Sequence, residues 1–418
     1  MKTREEAEII LRSCESENEA LFKEIDAVAL ANTEKVLSAF RECRVAERHL
    51  KGTTGYGYGD IGRETLNAVF AMVLGAEDAI ASPYFASGTH ALKVSLYGLL
   101  RPGDTLLSVT GAPYDTLLNV ITKPGIGSLV DYGVKYEQVE LTKEGEFDYP
   151  SIEKALQKCP KMVFLTRSRG YSERDAFSIA KLREAISFIK ARSNAIVFVD
   201  NCYGEFVETE EPTAAGADVI VGSFTKNIGG GLAPSGGYAA GRKDLIEQVA
   251  FSLTAPSLGT EIGSYAMGYQ SFYQGLFLAP HVVACALKGS LLFGSAFRKM
   301  GYKTIPECGK RCGDIIRSIF FEDPDKLIRF CQIIQAISPI DAYVQPEPWD
   351  MPGYEDQVIM AAGTFVAGAS IELSADAPMR EPYAVYMQGG LTYAHGKIAM
   401  MEVLERMLRG GALQLKDS

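Results

Sequence analysis

The chain is poor in metal-binding residues and in clustered positive charge. It has only four histidines in 418 residues, and no run of lysine and arginine interrupts its net charge of −10. Cys308 and Cys312 invite a zinc hypothesis, but no second Cys or His pair at zinc spacing accompanies them, so we expect no metal site. Because an acidic surface repels phosphates, we also expect no nucleic-acid partner.

Long uninterrupted apolar runs are missing as well. The most apolar stretch, 275–297, contains Pro280, His281 and Lys288, so it predicts a buried helix rather than a membrane span, and we expect no membrane partner. The chain starts with the charged, helix-forming MKTREEAEIILRSCESE, which does not resemble a secretory signal. We therefore expect a cytoplasmic protein whose eight cysteines are reduced thiols.

The chain is long, and the pattern of its predicted helices and strands changes along it. A hydrophobic content of 47% over 418 residues suits two unequal domains. We predict an N-terminal helical arm at 1–55, a large domain at 56–297 and a small α+β domain at 298–418. Apolar strands alternate with helices in the large domain, which predicts an α/β fold with a mainly parallel central sheet. The predicted strands are 79–83, 105–109, 162–166, 195–199, 219–222 and 237–240, then 342–344, 358–365 and 369–373 in the small domain.

Two charged residues stand where apolar strands of the large domain end. Lys226 follows the strand in VIVGSFTKNIGGG, beside the hydroxyls of Ser223 and Thr225, and Asp200 ends the strand in AIVFVDNCYGEF. Open parallel sheets bind ligands at the carboxyl ends of their strands. A lysine in a cationic, partly desolvated pocket there is expected to have a pKa lowered toward nucleophilic use.

Polar groups suited to a phosphate lie earlier in the chain. Ser87, Gly88 and Thr89 open an amphipathic helix, whose free N–H groups and dipole attract an anion. Taken alone, the same residues form an ordinary helix N-cap equally well. Tyr114 follows the next strand, in a loop expected to overhang the same edge of the sheet.

Pyridoxal 5′-phosphate (PLP) chemistry requires a lysine, a carboxylate, a phosphate-binding site and an aromatic ring. The phosphate-binding site predicted at the helix start Ser87, Gly88 and Thr89 is called the phosphate cup below. We predict that Lys226 carries PLP as a Schiff base and that Asp200 keeps its pyridine nitrogen protonated. The competing pattern G-x-G-x-x-G at Gly57, Gly59 and Gly62 lacks the preceding strand that a dinucleotide site needs, so we reject an oxidoreductase.

Several motifs resemble a known family. Ser223-Phe-Thr-Lys226 resembles the S-x-T-K of the cystathionine γ-synthase and methionine γ-lyase group of PLP enzymes. More closely, VDNCYGEFVE, GSFTKNIGGGLAPSGGYAAG and ASIELSADAPMREPYAVYMQGGLTYAHG look like its methionine γ-lyase-like or "aluminium resistance" branch, over most of the chain. The resemblance implies the aspartate aminotransferase-like fold, called fold type I, and a homodimer or homotetramer with shared active sites.

The resemblance also implies roles for individual residues. Gly88, Thr89, Ser223 and Thr225 would hold the phosphate, and Tyr114 would stack on the ring. Tyr56 and Tyr58 match the position of a Tyr-x-Arg pair that the neighbouring subunit contributes in the larger group, although the arginine is out of register. Arg380 is our choice for the substrate carboxylate, with a surface salt bridge as the alternative.

Three functions follow as hypotheses. The first is a PLP-dependent carbon–sulfur lyase that acts on sulfur amino acids, by β- or γ-elimination, and releases a thiol, a 2-oxo acid and ammonia. The second is a PLP-dependent aminotransferase or γ-replacement enzyme, which could use the same groups. The third is a PLP-binding protein with little turnover and a regulatory or metal-stress role. It stays open because the family's E-x-P-x-N-P loop is replaced here by a stretch containing Arg169, Gly170 and Tyr171.

Overall fold

The chain folds around two sheets joined by a long helix. A computed structural model describes residues 2–351 and 353–409, so the predicted ranges 1–55 and 298–418 extend beyond the described residues. The helices are α1 Lys2–Glu17, α2 Glu19–Glu42, α3 Ile61–Val73, α4 Gly88–Leu99, α5 Asp115–Thr122, α6 Tyr149–Leu156, α7 Ile179–Lys190, α8 Lys243–Leu253, α9 Gln270–Lys299, α10 Pro324–Ala336 and α11 Tyr393–Arg409.

Seven strands form the larger sheet: β1 Asp78–Ser82, β2 Thr105–Ser108, β3 Lys135–Gln138, β4 Met162–Thr166, β5 Ile196–Asp200, β6 Val219–Ser223 and β7 Gly237–Gly241. Their order across the sheet is β1-β7-β6-β5-β4-β2-β3. The neighbours from β6 to β3 run parallel, whereas β7 runs antiparallel to both β6 and β1. The sheet is therefore mostly parallel, as the sequence predicts.

Helices cover both faces of this sheet. Along β5, Phe198 packs against the face covered by α4 and α8, and its neighbours Val197 and Val199 pack against the face covered by α3 and α7. Successive side chains of a strand point to opposite faces, so a strand buried on both sides must be apolar throughout. This explains why the central strands read as continuous apolar runs.

Five antiparallel strands form the second sheet: β8 Thr304–Ile305, β9 Ile316–Phe320, β10 Val358–Ala361, β11 Ser374–Pro378 and β12 Ala384–Gln388. Their order is β10-β11-β12-β9-β8. Helix α10 packs on it, α11 packs on α10 and α9, and both helices contribute to a separate hydrophobic core.

Helix α9 belongs to both cores. Leu287 and Leu291 pack into the core of the large sheet, whereas Phe293 and Phe297 pack into the core of the small one. By length and composition α9 could cross a membrane, but 78% of its most apolar window is buried inside the protein. Pro280 lies inside this helix.

The N-terminal helices pack on the rest of the chain. Helix α2 lies along α9 and α3, and α1 lies against α11. Asn18, between the two, is buried and donates to Ser295 Oγ of α9 at 2.8 Å. Side chains from α1 and α11, such as Leu11 and Leu404, share the small core, so both ends of the described chain lie on the small-sheet side.

Two predicted strands of the small sheet are wrong. Residues 342–344 form a turn in which Tyr343 is 89% exposed, because no neighbouring strand pairs with them. Residues 369–373 form turns and bends, and the strand begins only at Ser374. Within this segment the N–H of Ser370 donates to the carbonyl of Thr225 at 2.9 Å instead of to a strand.

Candidate active site

A cavity of about 520 Å³ opens where the carboxyl ends of the parallel strands face the small sheet. Its floor comes from the segments that follow β2, β4, β5 and β6, and its opposite wall comes from β11, β12 and the loop before β10. The volume falls in the usual range for sites that bind small molecules. The predicted edge of the sheet is therefore the edge that carries the cavity.

Lys226 and Asp200 both line this cavity. They follow adjacent parallel strands, with Asp200 paired to Val221 of β6. The Nζ atom of Lys226 lies 4.1 Å from the centroid of the Tyr203 ring. Burial favours the neutral amine, but the acidic groups of Cys202, Tyr203 and Asp200 more than offset this, so the pKa of Lys226 is raised. The expected lowering of this pKa is wrong, because the pocket around the amine is acidic rather than cationic.

Asp200 is buried at the end of β5, with 3% of its surface exposed. Its Oδ1 accepts a hydrogen bond from the N–H of Cys202 at 3.1 Å. Burial raises the pKa of Asp200, and the charge of Lys226 acts in the opposite direction. A buried carboxylate of this kind requires a cationic partner to stay ionised. Burial and the neighbouring Asp200 also raise the pKa of the Cys202 thiol, which makes this cysteine a poor nucleophile.

The predicted phosphate cup is assembled at one end of the cavity. Gly88 and Thr89 at the start of α4 line it together with Ser223 and Thr225, whose hydroxyls lie 3.0 Å apart. A Cβ atom added to Gly88 would lie 3.1 Å from Cβ of Ser223. Glycine therefore keeps open the space in front of the first N–H groups of α4, which have no partner within the helix.

Tyr114 lies beside the cup. Its hydroxyl is 2.9 Å from Oγ1 of Thr89, which fixes the ring on the cavity wall. Burial, followed by the charge of Asp200, raises the pKa of Tyr114, so the phenol stays protonated at neutral pH.

Three predicted site residues lie outside the cavity of the single chain. Ser87 is exposed, and its hydroxyl accepts from the N–H of His90 at 3.1 Å, so it serves as the N-cap of α4. Tyr56 and Tyr58 are 73% and 65% exposed and stack on each other with ring centroids 5.6 Å apart. Within one chain they do not contribute to the cavity wall, so any role at the cofactor must come from a second subunit.

Arg380 lies at the rim of the cavity. Its side chain is 50% exposed and pairs with Asp356 at 2.9 Å. Both interpretations from the sequence therefore have some support, and substrate binding by Arg380 stays a prediction.

Sequence reasoning missed the acidic group on the far wall. Asp376 of β11 accepts hydrogen bonds from the hydroxyl of Tyr171 and from Nε2 of Gln388, the latter at 3.1 Å. Burial raises the pKa of Asp376 to about 6. An acid flanked by alanines in ELSADAP was the available signal, since a lone charge within an apolar strand often faces a ligand or a buried partner.

The arrangement fits a phosphorylated aldehyde cofactor of the PLP type. It offers an amine for the aldehyde, a buried carboxylate for a ring nitrogen, a helix start and two hydroxyls for a phosphate, and a phenol ring for stacking. These groups define an α/β protein with a lysine–aspartate site at the edge of its main sheet.

The comparisons name the family. The chain belongs to the methionine gamma-lyase family, whose model matches residues 7–408. It is 46% identical over 399 residues to YnbB of Bacillus subtilis (strain 168), a protein of uncharacterised function, with 94% of this chain and 95% of YnbB covered. L-methionine gamma-lyase of Pseudomonas putida is more distant, at 28% identity over 200 residues and less than half of either chain.

Solved structures agree closely with this fold. A carbon–sulfur lyase involved in aluminum resistance from Clostridium novyi NT is 47% identical, with a TM-score of 0.93 and 97% of each chain covered. A protein of Listeria monocytogenes, provisionally described as a cystathionine beta-lyase involved in aluminum resistance, is 46% identical with a TM-score of 0.93, covering 95% of this chain and 99% of its own. The family resemblance read from the sequence is thereby confirmed.

Proposed function

We propose that the protein is a PLP-dependent carbon–sulfur lyase of fold type I that acts on sulfur amino acids. The observation that carries this proposal is that Lys226 and Asp200 face one cavity from adjacent parallel strands, beside a helix start suited to a phosphate. The family membership and the carbon–sulfur lyase among the similar structures support the same reaction class. The substrate would be a cysteine or homocysteine thioether, such as cystathionine.

Bound PLP would supply an electron sink for the negative charge that develops at the substrate's α-carbon. In this proposal Lys226 holds the cofactor by its aldehyde and, once released, takes the proton from the α-carbon and returns it later. Asp200 keeps a positive charge on the ring nitrogen, because a buried carboxylate pairs with a cation. One general acid–base lysine accounts for both proton transfers.

The net reaction would consume one water. Cleavage of the carbon–sulfur bond releases the thiol, and hydrolysis of the remaining enamine gives a 2-oxo acid and ammonia. β-Elimination would give pyruvate, and γ-elimination would give 2-oxobutanoate. The cavity wall opposite Lys226 carries Tyr171, Asp376 and Gln388, polar groups that favour a substrate with a polar far end.

The test is a spectrum and a product assay on the purified protein. We expect an absorbance band near 420 nm, typical of PLP bound to a lysine, and release of a 2-oxo acid from cystathionine, cysteine or methionine. Lys226→Ala should lose both. Lys158→Ala is the matched control, because this lysine is exposed and pairs only with Glu137. Asp200→Asn should keep the cofactor and lose about 100- to 1,000-fold in turnover, the usual cost of one preorganised electrostatic group.

The same assay separates the rival functions. Amino transfer to an added 2-oxo acid, without thiol release, would indicate an aminotransferase. A new thioether would indicate γ-replacement. A yellow protein that forms no product from any amino acid would favour the regulatory or metal-stress role. A protein that takes up no PLP when it is supplied in excess would overturn the proposal.

We further propose a homodimer or homotetramer in which Tyr56 and Tyr58 complete the partner's site. Their exposure in the single chain supports this, because large exposed aromatic pairs commonly mark interfaces. Mixing inactive Lys226→Ala with inactive Tyr56→Ala/Tyr58→Ala should restore about a quarter of the activity, since half of randomly formed dimers are hybrids with one intact site. No recovery after verified subunit exchange would contradict shared sites.

A cytoplasmic location is part of the same proposal. The eight cysteines are all free thiols in the structure, as is usual for proteins of a reducing compartment. Cell fractionation with an antibody to the chain tests this.

A further inference from the structure

Arg169 lines the cavity and carries hydrogen-bond donors that have no partner among the described residues. It follows β4, lines the cavity and is only 2% exposed. Its Nη2 atom donates to the carbonyls of Ile305 and Ile316, both at 2.6 Å. Its Nε and Nη1 atoms have no hydrogen-bond partner among the described residues. Since a guanidinium carries five N–H groups, three of them remain free for something outside the chain.

The charge of Arg169 is equally unmatched. Its guanidinium forms no ion pair within 4 Å in the described part of the chain. Asp314 is the carboxylate whose charge acts most strongly on it, but this carboxylate accepts from the backbone N–H of Arg169, at 3.4 Å. An arginine does not shed its proton in a protein, so a buried one without an anion is costly. A ligand that brings a negative charge would remove this cost.

Two other buried arginines have hydrogen-bond or ion-pair partners within the chain. Arg167 is fully buried and pairs with Glu208 at 3.0 Å and Glu211 at 3.4 Å. Arg317 is also fully buried, and its three nitrogens donate to Ser290, to the carbonyl of Pro306 and to the sulfur of Cys312. Arg169 differs from both, because two of its nitrogens have no partner among the described residues and because it lines the cavity.

We infer that Arg169 binds the α-carboxylate of the amino-acid substrate, an inference that rests on the proposed function. A carboxylate in the cavity would accept charge-assisted hydrogen bonds from Nε and Nη1, which are the strong kind in a site shielded from water. The bonds from Nη2 to two carbonyls hold the guanidinium in place, so little conformational entropy is lost when the substrate binds. Arg169 thus positions the substrate and takes no part in proton transfer.

Arg380 is less suited to this task. It is half exposed and already paired with Asp356, so a substrate carboxylate there would compete with Asp356 and with water. Exposed ion pairs contribute about 0–1 kcal/mol, which is too little to orient a substrate. Both arginines lie near Tyr386, so the two candidates are compared on the same wall of the cavity.

The test compares an amino acid with its uncharged carboxamide. The visible spectrum of the holoenzyme is titrated with S-methyl-L-cysteine and with S-methyl-L-cysteinamide, and the ratio of the two dissociation constants is taken. The wild-type protein should prefer the acid by about 30- to 1,000-fold, the value of charge-assisted hydrogen bonds in a buried site. Arg169→Gln should bring the ratio close to one, mainly by weakening binding of the acid. Arg380→Gln tests the competing residue and should keep the wild-type ratio.

The outcomes distinguish this inference from the proposed function. If wild-type protein binds PLP but responds to no amino acid, the proposed function fails. If wild-type protein binds the acid and Arg169→Gln keeps the wild-type ratio, or Arg380→Gln abolishes it, only the assignment of Arg169 is overturned. If Arg169→Gln does not bind PLP, Arg169→Lys decides: the ratio should fall about tenfold, because an ammonium cannot keep the two carbonyls and also bind the carboxylate. An unchanged ratio in that variant would also overturn the assignment.

Discussion

The amine of Lys226 lies over the ring of Tyr203, with Nζ 4.1 Å from the ring centroid. The ring is held from its other end, where the hydroxyl of Tyr203 is 3.3 Å from Oγ of Ser370. An aromatic face stabilises an ammonium relative to the neutral amine. This contact with the ring face acts in the same direction as the charges of Cys202, Tyr203 and Asp200, which raise the pKa of Lys226 against the opposing effect of burial.

Removal of this ring should make the lysine easier to deprotonate. A cation–π contact contributes about 0.5–2 kcal/mol, so Tyr203→Leu should lower the pH midpoint for PLP capture by the apoprotein by about one unit. The measurement is absorbance near 420 nm against pH at fixed PLP. Tyr203→Phe is the matched control, since it keeps the ring and loses the hydroxyl, with its contact to Ser370 and its charge. Equal shifts in the two variants would contradict a cation–π role.

Asp376 should make the apoprotein less stable at neutral pH. Its pKa in the folded chain is raised from 3.8 to about 6 by burial, so folding opposes its ionised form. The penalty is absent below pH 3.8, grows as the carboxyl ionises and is complete above about pH 6. Asp376→Asn should therefore raise the free energy of unfolding by roughly 3 kcal/mol at pH 8 and change it little at pH 4. Urea unfolding at both pH values measures this.

Asp131 supplies a control of opposite sign. It is exposed and accepts hydrogen bonds from the backbone N–H groups of residues 125–128, which lower its pKa. Its stabilising contribution is present above its ordinary pKa and is lost as the pH falls through the lowered value. Asp131→Asn should thus reduce stability at pH 8. If both aspartate variants shift stability in the same direction, the buried-acid account of Asp376 is wrong.

The buried pairs of Arg167 should contribute strongly to stability. Its Nη1 donates to Oδ1 of Asn201 at 2.9 Å, and its guanidinium pairs with Glu208 and Glu211. Arg167→Met removes the cation that pairs with Glu208 and with the buried Glu211, so we expect a loss of about 3–5 kcal/mol in the free energy of unfolding. Asn201 follows Asp200 directly, so turnover should fall as well. Arg192→Met, which breaks the exposed pair with Glu153, should cost less than about 1 kcal/mol.

Prediction from the sequence was most accurate for strands that are buried on both faces, because their apolar pattern is contained within the strand itself. Strand β4 was predicted with its observed bounds, Met162–Thr166. Strands β6 and β7 differ from their predictions by one residue at one end, and β5 differs by one residue at each end. These strands are covered by helices on both faces, so nearly every position is apolar and the pattern does not depend on partners far along the chain.

The small sheet was predicted less well. The β-forming residues of 342–344 have no partner strand, and the strands β8, β9 and β12 were missed. Antiparallel strands of four or five residues carry little pattern of their own, and their pairing is decided by contacts between distant segments. The site also depends on contacts between distant segments, because Arg169 follows a strand of the large sheet and Asp376 lies in the small sheet, yet both line one cavity.

The sequence by itself determined the lysine, the aspartate and the helix start of the site, because each lies at the carboxyl end of a buried strand or in the loop that follows it. Only the tertiary structure decided which charges remain unpaired. Arg167 and Arg169 are two residues apart in the same loop, yet acids surround the first and carbonyls hold the second. Pairing depends on what the rest of the chain packs around each guanidinium, and no local pattern encodes that.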